Sequence, residues 1–331
     1  MTEWLRLLEH GMFPDLPVDR RRLTLMAKSV ESTVYGGYTS DGHPAVVKLT
    51  NNRTLFEQEK AVHALLQPHT FASTPPLLAS GKGGNGGWLM FPDWRLDPIQ
   101  WTPTRFAQAA AQLASVHRAC TSTQPMFEGK SHTPPLDDVI SQTGNGFPQS
   151  VRELAEAFGW KSATRERLQR FAATCLDRTE VGIDHALQAP SQVLCHGDPH
   201  FGNFLVEPSA GKLALVDWTF AHVDSRYFDL FQLLDATSPH TPLPRQRRHR
   251  AVLASYAEAW GQSPIDISHF QQGYVEFATL HLLWILTRIH ADAATERFSA
   301  ESLRRQAEET VYGLTSLARV SLTGKWRVKS L

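Results

Sequence analysis

The segment of residues 195–204 constrains the fold and the chemistry of this chain more than any other part of its sequence. It reads Cys-His-Gly-Asp-Pro-His-Phe-Gly-Asn-Phe, so Asp198 and Asn203 lie five positions apart in one loop. A second carboxylate, Asp217, follows the apolar residues 213–216. The apolar runs on both sides of the loop predict short strands with a turn between the later two. We therefore expect Asp217 to emerge beside the loop that carries Asp198 and Asn203.

This spacing suits one kind of chemistry. A carboxylate and an amide oxygen from two sides are suitable ligands for Mg²⁺, which keeps further positions for water and substrate phosphates. Another carboxylate on the same loop would lie beside an attacking hydroxyl. The set predicts phosphoryl transfer from a nucleotide to a hydroxyl group. An Asx-rich turn in an ordinary hairpin is the alternative, but it explains only the His-Gly-Asp part of the pattern.

The complete pattern resembles the signature of the aminoglycoside phosphotransferase and choline kinase family, whose members are small-molecule kinases with a protein-kinase-like fold. The residues that carry the resemblance are His196, Gly197, Asp198 and Asn203, followed by Asp217 and Trp218. The resemblance implies that Asp198 accepts the hydroxyl proton and that Asn203 and Asp217 bind the metal. It also implies that His196 shapes the loop, and that Asp229 is an N-terminal cap of the next helix or a loop anchor.

The resemblance further implies an α+β fold of two lobes, a small N-terminal lobe with an antiparallel sheet and a larger, mainly helical C-terminal lobe. We expect the nucleotide-binding lobe over residues 1–92, the connector over residues 93–101, and the catalytic and acceptor-binding lobe over residues 102–331. A chain of 331 residues with 42% hydrophobic residues suits two lobes of one catalytic unit. Three C-terminal segments show helix-like apolar spacing: residues 251–260, 270–290 and 301–320.

A hairpin near the N-terminus places a lysine where such a kinase needs one. Residues 33–39 have strand character, an Asp-Gly turn signal follows, and residues 45–49 form the return strand. Lys48 lies at the end of this strand, within reach of nucleotide phosphates. A lysine in this position is also typical of a solvated or snorkelling side chain. The charged helix predicted directly after the hairpin favours the phosphate role.

That helix is predicted over residues 53–67, where apolar residues recur at helical spacing. The family pattern pairs one glutamate of this helix with the lysine. Glu59 fits the pattern better than Glu57, which stays open as the alternative. The glutamate that does not pair with Lys48 is expected to be a solvated surface residue.

The phosphate-binding loop departs from the protein-kinase pattern. No Gly-x-Gly-x-x-Gly precedes Lys48, and residues 28–33 take the equivalent place. Backbone N–H groups and the hydroxyl of Ser32 or Thr33 are the expected phosphate contacts.

An adenine contact is expected at the end of the N-terminal lobe. Residues 81–87 are a glycine-rich turn, and the apolar residues 88–91 predict a strand before the connector. Members of this group bind the adenine ring there by backbone hydrogen bonds, so Met90 and Phe91 are the candidate residues. A helix then begins at Thr102-Pro103, and we interpret His117 near its end as a buried structural residue.

Composition and charge indicate the kind of partner and the cellular location to expect. The formal charge is zero, which gives no indication of a nucleic-acid partner. The three cysteines, Cys120, Cys175 and Cys195, show no metal-ligand spacing and are odd in number, which suits a reducing cytoplasm. The longest apolar stretch is too short to span a membrane, and the first residues do not resemble a signal peptide. We expect a cytoplasmic monomer or homodimer.

The sequence thus predicts a kinase that uses ATP, with GTP as a possible donor, and Mg²⁺ to phosphorylate a hydroxyl of a metabolite or an antibiotic. An aminoglycoside or choline kinase in particular is one alternative. A catalytically inactive nucleotide-binding pseudokinase is another, although the complete set of Lys48, Asp198, Asn203 and Asp217 opposes it. A protein-serine kinase is disfavoured because no Ala-Pro-Glu follows Asp217. Acidic residues do not outnumber basic ones after Asp235, which favours a neutral or modestly charged acceptor over a polycation.

Overall fold

A computed structural model describes residues 15–69, 74–94, 99–120, 134, 136–170, 172–173, 192–208, 211–243, 249–262, 264–295 and 297–323. Cys175, the N-terminal residues examined for a signal peptide, and residues 95–98 of the expected connector lie outside these ranges. Cys120 and Cys195 are buried and are not joined to each other by a disulfide. Within the described ranges, no helix is both long and apolar enough to cross a membrane.

A five-stranded antiparallel sheet forms the N-terminal part, with strand order β1-β2-β3-β5-β4. Its strands are β1 (Thr24–Lys28), β2 (Ser32–Tyr38), β3 (Pro44–Thr50), β4 (Ala79–Gly83) and β5 (Gly86–Pro92). One face of the sheet carries a buried apolar cluster that includes Tyr35, Val47, Leu49, Trp88 and Met90. Because side chains alternate along a strand, Lys48 lies on the opposite face from its neighbours Val47 and Leu49.

The glycine-rich segment before β5 is a hairpin and not one long turn. Strand β4 continues through Gly83 and β5 begins at Gly86, so the turn is shorter than the predicted range of residues 81–87. A Cβ atom on Gly86 would lie 1.7 Å from the carbonyl oxygen of Thr50. The glycine is therefore required because the start of β5 approaches the end of β3, which a local turn pattern does not show.

Helix α1 (Arg53–Leu66) confirms the predicted helix after β3. Its N-cap is Asn52, whose side-chain oxygen accepts hydrogen bonds from the backbone N–H groups of Thr54 and Leu55 at 3.0 and 3.3 Å. The buried face of α1 holds Leu55, Phe56, Glu59, Val62, His63 and Leu66. Glu59 and His63 are thus polar residues within an otherwise apolar helix face.

The strands predicted around the loop of residues 195–204 are present. They are β6 (Gln192–Cys195) before the loop and β7 (Phe204–Val206) and β8 (Leu213–Leu215) after it, with β7 and β8 paired antiparallel. A 3-10 turn, Trp218–Phe220, follows β8, and β9 (His222–Ser225) comes next. Strand β9 pairs with β6.

The remainder of the described chain is mainly helical. The helices include α2 (Pro103–Ala119), α3 (Leu136–Phe158), α4 (Tyr227–Leu234), α5 (His249–Trp260), α6 (Pro264–Ala294) and α7 (Ala300–Thr323), and residues 162–170 are also helical. The three C-terminal helices predicted from apolar spacing are confirmed, and the hydroxyl oxygen of Thr102 accepts from the N–H of Arg105 as the N-cap of α2. Helix α3 was not predicted, because Gly144, Gly146 and Pro148 interrupt its pattern.

Of the two roles implied for Asp229, helix cap and loop anchor, the structure excludes the helix cap. Asp229 lies within the first turn of α4, where Arg226 is the N-cap residue, so it does not cap the helix. Its Oδ2 lies 2.9 Å from Nε2 of His117, and Nδ1 of His117 lies 2.8 Å from the hydroxyl of Tyr256. All three side chains are buried. His117 is therefore a structural residue that joins α2, α4 and α5, as its buried position in the predicted helix indicated.

The chain divides into two compact units. The first contains the N-terminal sheet and α1 together with residues 196–223, and the second contains α2 to α7. Lys48, Glu59, Asp198, Asn203 and Asp217 thus all belong to the first unit. The lobe boundaries expected at residues 92 and 101 stay a prediction.

Candidate active site

The register of the N-terminal sheet directs Lys48 towards α1 and the turn after β8. Lys48 is opposite Val34 on β2 and Leu89 on β5, and it is 5% exposed. Its Nζ lies 2.7 Å from Oε2 of Glu59 and 2.6 Å from Oδ1 of Asp217. The fold therefore joins one predicted metal ligand, the predicted phosphate-binding lysine and its predicted glutamate partner in one cluster, in which the lysine and the glutamate are buried.

The two glutamates of α1 have different surroundings. Glu59 is 1% exposed and pairs with Lys48. Glu57 has a side chain that is 41% exposed and contacts Arg53 at 3.3 Å and Lys82 at 2.8 Å. Two positions along an α-helix are separated by about 200° around its axis, so the two side chains leave opposite sides of α1.

The charged groups in this cluster, together with their burial, shift one another's pKa values. Burial opposes the charge on Lys48, but attraction to Glu59 and Asp217 outweighs burial and raises the pKa of the lysine. Burial alone would raise the pKa of Asp217, but attraction to Lys48 holds the pKa of that carboxyl well below its usual range. Burial raises the pKa of Glu59 in spite of Lys48. When all three groups are ionised, the cluster carries one net negative charge.

Asp217 has an unusual backbone conformation. Its φ of 66° and ψ of 67° are left-handed, and it is the one non-glycine residue with positive φ in the described part of the chain. This conformation costs an L-residue about 1–2 kcal/mol, although aspartate tolerates it better than most residues. Its side chain stays 43% exposed, and both Lys48 and Thr219 contact the same oxygen, Oδ1. Neither of these two contacts therefore involves the other carboxylate oxygen, Oδ2.

The loop of Asp198 is tied to the strand that leads to Asp217. The N–H of Val216 donates to the carbonyl of Asn203 at 3.0 Å, and Nε2 of His196 donates to the carbonyl of Val216 at 2.9 Å. His196 then accepts the N–H of Asp198 on Nδ1 at 3.3 Å. His196 thus holds the loop by backbone hydrogen bonds, and its two ring nitrogens are used for that purpose.

Gly197 permits the close approach of the loop to the turn after β8. Its φ is 88°, and a Cβ atom at this position would lie 2.0 Å from the carbonyl oxygen of Phe220. A side chain is excluded there both by the backbone conformation and by the neighbouring carbonyl.

Asp198 and Asn203 are in contact. Nδ2 of Asn203 donates to the backbone carbonyl of Asp198 at 2.8 Å and approaches its Oδ2 at 3.5 Å. Because the amide nitrogen is required for this donation, the amide oxygen of Asn203 points to the other side. The side chain of Asp198 is 31% exposed, and Nε2 of His200 lies 3.7 Å from its Oδ2.

Sheet register separates the two hydroxyl candidates near the phosphate-binding position. Ser32 is opposite Thr50 and shares the sheet face of Lys48, whereas Thr33 is opposite Leu49 and faces the buried apolar cluster. The structure therefore does not bring the Thr33 hydroxyl to Lys48. Ser32 lies at a tight turn, where the hydroxyl of Ser29 accepts its backbone N–H at 3.0 Å.

The two candidates for the adenine contact also lie on opposite faces. The side chain of Met90 belongs to the buried apolar cluster, and its carbonyl accepts the N–H of Leu78 at 2.8 Å. Phe91 is opposite Val46 and so shares the face of Lys48. Its ring centroid lies 4.7 Å from that of His63 on α1.

Thr219 is a site residue that the sequence did not reveal. Its hydroxyl lies 2.5 Å from Nζ of Lys48, 2.6 Å from Oδ1 of Asp217 and 3.2 Å from Oε2 of Glu59. The available signal in the sequence was its position two residues after Asp217. This position alone does not indicate a site residue, because the turn that directs the side chain inward is not visible in the sequence.

The sequence of this chain matches the model of a known protein family. The sequence model of the phosphotransferase enzyme family matches residues 24–262. None of the curated proteins matches this chain.

Several solved structures have a similar fold. An amicoumacin kinase in complex with AMP-PNP, Ca²⁺ and Ami has a TM-score of 0.61 and 14% identity, over 94% of each chain. A choline kinase from Cryptosporidium parvum has a TM-score of 0.56 and 10% identity, over 97% of each chain. A macrolide 2′-phosphotransferase from Brachybacterium faecium has a TM-score of 0.52 and 19% identity, over 93% of this chain and 96% of that one. These likenesses confirm the predicted α+β, protein-kinase-like fold.

Proposed function

Because the chain belongs to the phosphotransferase enzyme family, we propose that it transfers the γ-phosphoryl group of ATP, or of GTP, to a hydroxyl group of a small molecule. The observation that supports this proposal most directly is the buried Lys48, which is held between Glu59 and Asp217 next to the loop of Asp198. A buried ammonium between two carboxylates, one of them on a residue with a left-handed backbone, is costly to maintain, which is typical of a site with a chemical role.

Asp198 is the proposed catalytic residue. Its carboxylate orients the acceptor hydroxyl and takes its proton as the new oxygen–phosphorus bond forms and the bond to the leaving nucleoside diphosphate breaks. The partial exposure of the side chain permits contact with a bound small molecule. Two hydrogen bonds hold the backbone of Asp198 in place. Its carbonyl accepts from the side chain of Asn203, and its N–H donates to the ring of His196.

Lys48 is the proposed contact to the nucleotide phosphates. Its ammonium group is a point charge of the kind that proteins use to bind phosphate. Glu59 keeps the lysine charged and in place, because the pair is buried and the two atoms are 2.7 Å apart. Ser32 and Phe91 lie on the same sheet face as Lys48, so we propose that they line the nucleotide site.

Asn203 and Asp217 would hold a divalent metal ion, Mg²⁺ in the proposed reaction. The donor set fits, because the amide oxygen of Asn203 points away from Asp198 and the carboxylate of Asp217 is 43% exposed. When Lys48, Glu59 and Asp217 are all ionised, the net negative charge of their cluster also favours a cation. When bound, such an ion neutralises charge on the phosphate oxygens. The AMP-PNP and Ca²⁺ in the amicoumacin kinase complex support a nucleotide and a divalent cation here.

The acceptor is proposed only as a class. The similar structures include kinases named for amicoumacin, for a macrolide and for choline, so the shared fold does not select one acceptor. A hydroxyl-bearing metabolite or antibiotic is the proposed substrate, and the formal charge of zero supports the absence of a nucleic-acid partner. We further propose a cytoplasmic enzyme that acts as a monomer or homodimer.

A transfer assay tests this function. The purified protein is incubated with Mg²⁺ and γ-labelled ATP or GTP and a panel of hydroxyl-bearing metabolites and antibiotics, with Asp198→Asn as the control protein. We expect labelled product that requires the metal and disappears in the control. Failure to bind either nucleotide by calorimetry would overturn the proposal. Binding without transfer to any acceptor and without slow hydrolysis would indicate a pseudokinase.

A further inference from the structure

The hydroxyl of Thr219 lies at the centre of the charged cluster. Three charged side chains reach it: Lys48 at 2.5 Å, Asp217 at 2.6 Å and Glu59 at 3.2 Å. Thr219 is itself 6% exposed. This hydroxyl contacts one ammonium and two carboxylates. Its environment is therefore much more strongly charged than that of a buried threonine hydroxyl that only donates to a backbone carbonyl.

The hydrogen bonds of this hydroxyl are limited by its chemistry. A hydroxyl has one proton and two lone pairs, whereas an ammonium group only donates. The hydroxyl of Thr219 therefore accepts from Lys48 and has one proton to give. Asp217 is the nearer of the two carboxylates, so it receives that proton.

Both restraints on Asp217 act on the same oxygen. Nζ of Lys48 and the hydroxyl of Thr219 each contact Oδ1, and the side chain is still 43% exposed. A carboxylate held at one oxygen by two donors cannot rotate freely about its χ2 bond. The second oxygen is thereby kept at a constant position on the exposed side.

We propose that Thr219 is a positioning residue, which fixes Oδ1 of Asp217 so that the other carboxylate oxygen is oriented in advance for a divalent cation. This role rests on the proposed function, since it concerns the same metal ligand. Charge-assisted hydrogen bonds of this kind are about twice as strong as neutral ones, so their loss is measurable.

The backbone of the turn that carries Thr219 is held by a contact that does not involve the threonine hydroxyl. Nε2 of Gln58 on α1 donates to the backbone carbonyls of Thr219 and Ala221. Helix α1 thus holds the turn of Trp218–Phe220 without using the threonine side chain. Removal of the hydroxyl alone should leave the turn in place.

The test compares Thr219→Val, which keeps the shape and removes the hydroxyl, with Thr219→Ser, which keeps the hydroxyl. Mg²⁺ is titrated into each protein in the presence of AMP-PNP, and nucleotide binding is followed by calorimetry. We expect Thr219→Val to need about tenfold more Mg²⁺ for half-maximal binding, and Thr219→Ser to stay within about twofold of the wild type. Binding of AMP-PNP in EDTA should be the same in all three proteins.

Thr143→Val is the matched control for a buried threonine. Its hydroxyl donates to the carbonyl of Val139 within α3, far along the chain from the cluster. This variant should lose stability without any change in the Mg²⁺ requirement.

Three results would overturn the role of Thr219: an unchanged Mg²⁺ requirement in Thr219→Val, an equal change in Thr219→Ser, or a parallel loss of binding in EDTA. A wild-type protein that binds no nucleotide at any Mg²⁺ concentration would instead remove the proposed function.

Discussion

Oε2 of Glu59 lies 2.7 Å from Nζ of Lys48, and both side chains are almost completely buried. Breaking a buried ion pair from one side leaves a charge without its partner and costs about 3–5 kcal/mol. Lys48 keeps a second carboxylate in Asp217, so the loss on removing Glu59 alone is smaller.

Glu59→Gln should therefore destabilise the folded protein by about 1–3 kcal/mol and weaken nucleotide binding. The matched control is Glu57→Gln on the same helix, where the exposed side chain contacts Arg53 and Lys82. Exposed pairs contribute about 0–1 kcal/mol, so this control should remain close to the wild type. Urea denaturation and calorimetry measure both effects, and equal losses in the two variants would contradict the assignment of Glu59 as the partner of Lys48.

Asp198→Asn should reduce phosphoryl transfer by at least about a hundredfold while nucleotide affinity is retained. The amide has the size of the carboxylate but does not accept the hydroxyl proton. Steady-state kinetics gives the turnover, and calorimetry with AMP-PNP gives the affinity. Turnover near the wild-type value would show that another group accepts the proton.

Asp217→Asn should abolish most of the dependence of nucleotide binding on Mg²⁺. Asparagine tolerates the left-handed backbone at this position, so the substitution removes charge with little change in backbone strain. Asp41→Asn is the control, because Asp41 has a side chain that is 70% exposed and lies in the turn before β3. If both variants keep the wild-type Mg²⁺ dependence, Asp217 is not a metal ligand.

The parts of the site that could be predicted from sequence are those with local signals. Lys48 follows an Asp-Gly turn, and apolar residues recur at helical spacing over residues 53–67, so the hairpin and α1 could both be predicted. The pairing of Glu59 with Lys48 was implied by the family resemblance, with Glu57 open as the alternative, and the structure decides for Glu59.

The parts that could not be predicted depend on contacts between distant segments. The inward direction of Thr219 depends on the left-handed backbone of Asp217, and no residue pattern indicates it. The different faces of Ser32 and Thr33 depend on the register of β2 with β3. Helix α3 was missed because tertiary packing overrides the weak propensity of its internal glycines and proline.

Gly197→Ala should destabilise the protein much more than Gly211→Ala. Both glycines have positive φ, 88° and 64°, so both substitutions incur backbone strain of about 1–2 kcal/mol. Only at Gly197 would the new Cβ meet a backbone carbonyl, 2.0 Å away, whereas Gly211 has no described atom within 4 Å. We expect a loss above about 3 kcal/mol for Gly197→Ala, measured by thermal denaturation. Similar losses in both variants would show that conformational strain alone determines the effect.

Acid should destabilise the protein through His63. Burial, together with the positive charge of Lys48, lowers the pKa of His63 to about 3 in the folded state. In the unfolded chain the pKa is about 6.5, so between these values the unfolded state binds a proton that the folded state does not. Stability therefore falls as the pH decreases from about 6.5 towards 3, by up to about 1.4 kcal/mol per pH unit for this residue.

His63→Leu should remove this contribution and make the dependence of unfolding free energy on pH less steep over that range. A residual slope remains, because burial also lowers the pKa of His281, to about 4. His269→Leu on the exposed side of α6 is the matched control and should keep the wild-type slope. Urea denaturation at a series of pH values measures the slopes. A wild-type slope in His63→Leu would mean that His63 is already protonated in the folded protein, which the adjacent ammonium of Lys48 opposes.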